Sequence, residues 1–298
     1  MEGNSKIAIV AVVVAAGALF GGLLIGYGAW GINTQNTNPN TTNYTLKLAG
    51  STTVFPIATD AAQVFMNEHA NYNIVVSAGG SGIGIAACEN GTCDIGMSSK
   101  TIGAGDLAQG LNVTTVALDG IAIIISTKSA WNNVTQLTTF QVRGIYNGTY
   151  TNWNQVGGPN HAIDVYERES GSGTRSSFET FIMPASITYV GGILTANGSP
   201  LMNSSVANDQ YAIGYIGLGF VTGNPTVKAM NIEKSGSTSY IACTFATVQG
   251  GTYPLARALF MFVKGDMTAP EQEFLNFMRG PVGQQSVIRQ GFVPITAI

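Results

Sequence analysis

Histidine is nearly missing from this chain: His69 and His161 are the only two among 298 residues. Enzymes that shuttle protons or bind transition metals rely heavily on imidazole. Neither histidine stands in a recognisable nucleophile–base setting. A strict Gly-x-Ser-x-Gly elbow is absent, and so is the Gly-x4-Gly-Lys-Ser/Thr loop of nucleotide hydrolases. Together these absences argue against an enzyme. Charge is also scarce, at 10% of residues, and its balance is slightly acidic, at −3. No run of Lys and Arg exists, and phosphate-backbone binding needs one, so nucleic acid is not an expected partner. Only three cysteines occur. Cys88 and Cys93 flank Glu89-Asn90-Gly91-Thr92, a turn sequence, and fit either a short disulfide or two unpaired thiols. Cys-x4-Cys with no further pair is poor zinc spacing, so no metal is expected, and no cofactor motif appears. Cys243 reads as a small buried hydrophobe.

What the chain has in abundance is glycine, 38 residues, and one long apolar run. Ile7 to Trp30 carries no charge. About 24 residues suffice to cross a hydrocarbon core of roughly 30 Å as a helix. Lys6 precedes the run and the next basic residue is Lys47, which places the N-terminus inside and the rest outside. Residues 1–31 are therefore expected to be a membrane anchor, with a cleaved secretion signal as the alternative. Residues 32–44, rich in Asn and Thr, form a polar linker. Asn-x-Ser/Thr triplets such as those at Asn90 and Asn147 agree with an outside location without fixing it.

Beyond the linker, strand and helix patterns alternate. Thr45–Ala49 and Tyr72–Ser77 read as strands. Phe55 to His69 places Phe55, Ala58, Ala62, Phe65 and Met66 at helical spacing. The run Ile121–Ile125 suits a strand buried on both faces. Gly173 to Met183 reads as a helix, and Ala258–Val263 as another strand. This alternation predicts α/β layers with mostly parallel sheets, whose ligands bind beyond the strand C-termini.

Three Ser/Thr/Gly loops stand at such ends: Gly50-Ser51-Thr52-Thr53, Gly79-Gly80-Ser81-Gly82 and Ser170-Gly171-Ser172-Gly173-Thr174. Each opens a helix. Free N–H groups and partial positive charge at a helix N-terminus hold oxyanions. Arg168 stands beside the third loop. The combination points to a site that encloses a tetrahedral anion. Gly82-Ile83-Gly84-Ile85-Ala86-Ala87 imitates a dinucleotide fingerprint but lacks a carboxylate at the ribose spacing.

Read in order, these loops, the stretch Asp94-Ile95-Gly96-Met97-Ser98-Ser99, Thr151-Asn152-Trp153, Ala212-Ile213-Gly214-Tyr215, Tyr253-Pro254-Leu255 and Gly291-Phe292-Val293-Pro294 resemble the phosphate-binding proteins of ABC importers, the PstS family. The resemblance runs from about residue 46 to the C-terminus. It implies a two-lobed type II periplasmic-binding-protein fold, each lobe a mixed, mostly parallel sheet flanked by helices. Lobe I would comprise 45–127 plus 255–298, and lobe II 128–254. The implied function is extracytoplasmic capture of inorganic phosphate in the cleft and delivery to ABC permease subunits with their cytoplasmic ATPase. The alternatives are another tetrahedral oxyanion (sulfate, molybdate, arsenate) or a stand-alone phosphate-sensing surface receptor.

By motif, the resemblance assigns phosphate contacts to Ser51, Thr52, Thr53, Ser81, Ser98, Ser99, Arg168, Ser172, Gly173 and Thr174. One departure stands out. Many members have Asp where this chain has Ser99, a carboxylate that accepts the phosphate proton and repels sulfate. Asp119, just before the buried Ile121–Ile125 run, is the candidate to replace it. Arg175, one step inside the helix, is expected to support the loop.

Overall fold

A computed structural model describes residues 42–130, 133–233 and 236–295. The expected anchor at 1–31 and all but the last three residues of the linker lie outside the described residues. Among the described residues, no helix is long and apolar enough to cross a membrane.

The chain opens with β1 (Tyr44–Gly50), α1 (Phe55–Glu68), β2 (Tyr72–Ala78), α2 (Ser81–Glu89), β3 (Ile95–Ser98), α3 (Ala104–Ala108) and β4 (Leu111–Ser126). It continues with β5 (Gln136–Leu137), α4 (Thr139–Tyr146), β6 (Asp164–Arg168), α5 (Gly173–Phe181), β7 (Leu194–Ala196), α6 (Gly198–Asn208) and β8 (Ala212–Gly217). The last elements are β9 (Val227–Ala229), β10 (Asn231–Glu233), β11 (Tyr240–Ile241), α7 (Phe245–Gln249), β12 (Ala256–Lys264), α8 (Ala269–Arg279) and α9 (Pro281–Arg289).

The main sheet has the order β2-β1-β3-β12-β4-β8-β6-β7, with β9 added beside β4. A second, small sheet has the order β11-β10-β5. Strand β4 joins two halves of the main sheet. Its residues Leu111–Gly120 pair with β12, and Ile121–Ser126 pair with β8 and β9. The expectation of mostly parallel pairing holds on the flanks only. There β1 pairs β2 and β3, and β6 pairs β7 and β8, all parallel. The centre is antiparallel. The reason is topological: β4 leaves the first half at Gly120, β12 re-enters it at Ala256, and those two residues face each other. Strands that leave and return at one point must run in opposite directions, and neither needs a crossover helix.

Each half has its own apolar core. One gathers Leu48, Ile57, Phe65, Met97, Met261 and Phe274. The other gathers Ile123, Trp153, Phe178, Met202 and Tyr215. In the first, the ring of Phe65 meets Phe274 edge-on at 5.4 Å. In the second, Phe178 stacks on Tyr215 at 4.1 Å. The Ile121–Ile125 run is buried on both faces, as its unbroken apolarity requires. Helices α1, α2, α5 and α6 each follow a parallel strand; across the antiparallel centre β1 and β2 run opposite to β6 and β7, so the two sets of helix N-termini face each other where the halves join.

Candidate functional site

The first loop is set by backbone demands. Gly50 has φ +135°, and a β-carbon there would lie 2.3 Å from the Met97 carbonyl oxygen. Only glycine fits such a turn. Ser51 N then donates to that carbonyl at 3.0 Å. The Ser51 hydroxyl oxygen accepts from Thr53 N at 3.2 Å and Val54 N at 3.3 Å, so it shapes the turn that leads into α1. Thr52 and Thr53 are left facing the other half of the sheet.

Opposite them stands Arg168, at the end of β6 and 1% exposed. Its Nε and Nη2 donate to the two oxygens of Glu169, both at 2.8 Å. Nη2 also donates to Thr52 Oγ1 at 3.1 Å, and Nη1 to Ser199 Oγ at 3.3 Å. Burial by itself raises the Glu169 carboxyl. The Arg168 guanidinium and the Gly198 amide outweigh it and hold Glu169 below the usual carboxylate range. Arg175 does not reach across the cleft in this way. Its Nη1 donates to the Arg168 carbonyl at 3.0 Å and its Nε to Glu179 at 2.9 Å, the supporting role expected of it.

The second loop meets the third. Ser81 Oγ accepts from Ser99 N at 3.0 Å and lies 3.4 Å from Ser99 Oγ. Gly82 N donates to the Gly171 carbonyl at 3.0 Å, linking α2 to the turn before α5. Ser172 caps α5 by accepting from Arg175 N. Gly173 packs directly against Ser81 and Ser99. Thr174 Oγ1 lies 3.0 Å from Thr53 Oγ1, and Thr52 Oγ1 lies 3.2 Å from Ser199 Oγ, two hydroxyl contacts between the halves.

Two expected residues take positions that their motifs do not foretell. Ser98 turns into its own loop, donating to the Lys100 carbonyl at 2.8 Å and accepting from Lys100 N at 3.1 Å. Asp119 is wholly buried, with one oxygen accepting from Leu218 N at 2.9 Å. Its other oxygen accepts twice from Arg257, at 2.9 and 2.7 Å. Burial pushes the Asp119 carboxyl above its usual range, and the Arg257 charge opposes that shift.

Sequence reasoning missed two participants, Ser199 and Arg257. Ser199 has no exposure; it opens the Gly198–Asn208 helix, and its N donates to Thr52 Oγ1 at 3.2 Å. Asn197-Gly198-Ser199 follows β7 and forms the start of α6, so it is a fourth loop of the same type and was readable as one. Glu169 directly follows Arg168 and was readable as its partner. Arg257 had no local signal, because its partners Asp119, Ser99, Gly173 and Thr174 come from three distant segments. Both histidines lie elsewhere: His69 Nε2 is 3.4 Å from Glu273, and His161 stacks on Tyr211.

The arrangement is a ring of hydroxyl and amide donors with two buried guanidiniums, Arg168 and Arg257, drawn from both halves of the sheet. Such a ring suits a small tetrahedral oxyanion. Comparison with known proteins agrees. Residues 35–281 match a family model described as the PBP superfamily domain. The phosphate-binding protein PstS of Borreliella burgdorferi is 29% identical over 259 residues, covering 84% of this chain and 90% of its own. PstS of Bacillus subtilis is 28% identical, covering 84% and 81%. Among solved structures, a Clostridium perfringens substrate-binding protein assigned to phosphate ABC transport, with bound phosphate, has a TM-score of 0.78. It is 29% identical and covers 85% of this chain and 100% of its own. An ABC-type phosphate transport receptor from Vibrio cholerae has a TM-score of 0.68 at 30% identity, covering 83% and 99%.

Proposed function

Because the chain belongs to the PBP superfamily, and within it to the PstS-type phosphate-binding proteins, we propose that it captures inorganic phosphate outside the cytoplasm and delivers it to an ABC importer. It is a binding protein and not an enzyme. The observation that carries this reading is the convergence on Thr52 of Arg168 and Ser199 from the opposite half of the sheet.

In this proposal the two halves are lobes, and phosphate bridges them. Thr52, Thr53, Ser81 and Ser99 contribute from one lobe, and Arg168, Gly173, Thr174 and Ser199 from the other. Ser51, Ser98 and Ser172 hold their loops in shape, and Asp119 acts from behind the contact layer. We set the lobe boundary at Gly120/Ile121, supported by the change of partners of β4, and at Leu255/Ala256, where β12 begins. The division expected from sequence was 127/128 and 254/255.

A net-acidic protein can hold an anion this way because short-range donors dominate in an enclosed site of low dielectric. Bound phosphate gains contacts from both lobes only when they meet, so binding favours closure. Closed protein then docks on permease subunits whose ATPase drives import, with residues 1–31 as the tether to the membrane. A calorimetric screen of phosphate, sulfate, arsenate and molybdate across pH tests the reading. Phosphate is expected to bind most tightly. No heat with phosphate, or tighter binding of molybdate, overturns it.

A further inference from the structure

The side chain of this site that makes the most hydrogen bonds is one the anion need never touch. Arg257 sits on β12 beside the junction of the two halves. Its guanidinium has five N–H donors and no acceptor, and it stays protonated at any physiological pH. Every donor is engaged. Nε and Nη2 donate to Asp119 Oδ2. Nη1 donates to the Ser99 carbonyl at 2.9 Å and the Gly173 carbonyl at 3.5 Å. Nη2 also donates to Thr174 Oγ1 at 3.0 Å.

The last bond fixes the chemistry of a pair. Since Arg257 can only donate, Thr174 Oγ1 must accept there. Thr174 Oγ1 and Thr53 Oγ1 lie 3.0 Å apart, so one hydroxyl gives its proton to the other. The pair holds two protons and uses one in that bond. One proton remains, whichever hydroxyl donates. Thr53 and Thr174 are each 1% exposed. Among the described residues, neither hydroxyl has another hydrogen-bond partner. A buried hydroxyl proton without an acceptor costs free energy, so this proton is held for something that enters the cleft.

We propose that Arg257, anchored by Asp119, is a positioning residue that makes the Thr53–Thr174 pair a donor toward the bound anion. The proposal rests on the reading of this site as an oxyanion site and adds to it a device that sets hydroxyl direction. Arg257 does two things at once. It occupies a lone pair of Thr174 that would otherwise face the anion. It also occupies the Ser99 and Gly173 carbonyls, whose negative ends flank the same loops. Arg168 treats the neighbouring pair likewise, since Thr52 Oγ1 and Ser199 Oγ both accept from it. Two guanidiniums thus align two hydroxyl pairs.

The test is phosphate calorimetry on the full chain with Arg257→Gln, Thr174→Val and the double variant. Each single change is expected to weaken phosphate by about tenfold or more, and the double variant by little more than the larger single, because both break one relay. Multiplying losses, or no loss in Arg257→Gln, overturns the proposal, as would a fall in melting temperature with affinity unchanged. Should Arg257→Gln fail to fold, Thr53→Val, Thr174→Val and their double variant supply the same cycle with the Asp119–Arg257 pair intact. Thr174→Ser, which keeps the hydroxyl, should retain affinity within about threefold. Absence of phosphate binding by the unaltered chain would instead defeat the functional reading itself.

Discussion

A β-carbon added to Gly173 would stand 2.1 Å from Ser81 Oγ, so the third loop approaches the second as closely as a glycine allows. The Ser81 hydroxyl cannot swing away without losing its bond from Ser99 N. Ser99 Oγ at 2.7 Å and Lys100 N at 2.9 Å close the remaining directions. Gly173 is the first residue of α5, where alanine is the better helix former. The conflict is therefore between the halves and not within the helix. Gly173→Ala is expected to leave the melting temperature of the ligand-free protein unchanged or raised. Overpacking costs about 1–3 kcal/mol, so phosphate affinity should fall by roughly ten- to a hundredfold. Unchanged affinity would mean that these loops do not meet around the anion.

Arg168 brings a buried charge to the hydroxyls of Thr52 and Ser199. Its removal would leave Glu169 without its cationic partner and Thr52 and Ser199 without a shared donor. Truncating one member of a buried, hydrogen-bonded charge pair costs about 2–5 kcal/mol in binding. Arg168→Ala should weaken phosphate by that amount in calorimetry. Arg168→Lys should recover only part of it, since a single ammonium cannot reproduce the fork on Glu169. A loss below about 1 kcal/mol for the alanine variant would place Arg168 outside the site.

Glu169 supplies a pH dependence with a definite sign. Its carboxyl is held below its ordinary value of 4.5, against the opposing effect of burial, by Arg168 and Gly198 N. A depressed carboxyl contributes stability that is present above the unfolded value and lost as pH falls through the folded one. Chemical denaturation of the protein and of Glu169→Gln should therefore differ most at neutral pH. The gap should shrink below pH 4.5 and close in stronger acid. A gap that stays constant down to strong acid would remove Glu169 from the charge pair.

How much of this was legible in sequence depends on how local the cause is. The helix behind each Ser/Gly loop was readable, because a glycine turn followed by hydroxyl residues and an apolar period is a contiguous signal. Phe55 to His69 was expected and Phe55–Glu68 is found. The pairing of strands was not readable, because β4 looks like one apolar strand whatever lies beside it. Its change of neighbour at Gly120 depends on where residues 256 and 217 return. Arg257 shows the same limit at the site. Its role comes from four partners gathered by the sheet junction, and none is near it in sequence.

Asp119 tests whether the site has a proton acceptor. The residue was expected to stand in for the acidic side chain that Ser99 replaces. Its Oδ2 accepts twice from Arg257 and its Oδ1 from Leu218 N, and the side chain is wholly buried, so its effect on a ligand is expected to pass through Arg257. Asp119→Asn is then expected to weaken phosphate and sulfate by the same factor, since it loosens the donors common to both. Parallel titrations measure the ratio. A selective loss of phosphate, with sulfate unchanged or tighter, would make Asp119 the acceptor itself.

Cys88 and Cys93 make a prediction at the far end of α2 from Ser81. Both are buried free thiols, and Cys88 Sγ also reaches the Phe262 carbonyl. A hydrogen bond from the Cys93 thiol holds Cys88 below the ordinary thiol range and pushes Cys93 well above it. The two thiols lie within hydrogen-bonding reach, so a mixed disulfide formed on one can be resolved by the other. Oxidised glutathione, itself reduced to two thiols, should convert the pair to an intramolecular disulfide, seen as a mass loss of two hydrogens. A loop of about six residues is worth about 2 kcal/mol at most by chain entropy, which should raise the melting temperature by several degrees. Phosphate affinity should not change, because the bridge ties the C-terminal end of α2 while Ser81 opens its N-terminal end. Stable mixed disulfides with glutathione on either cysteine, and no bridged form, would show instead that the turn between them cannot bring the sulfurs together.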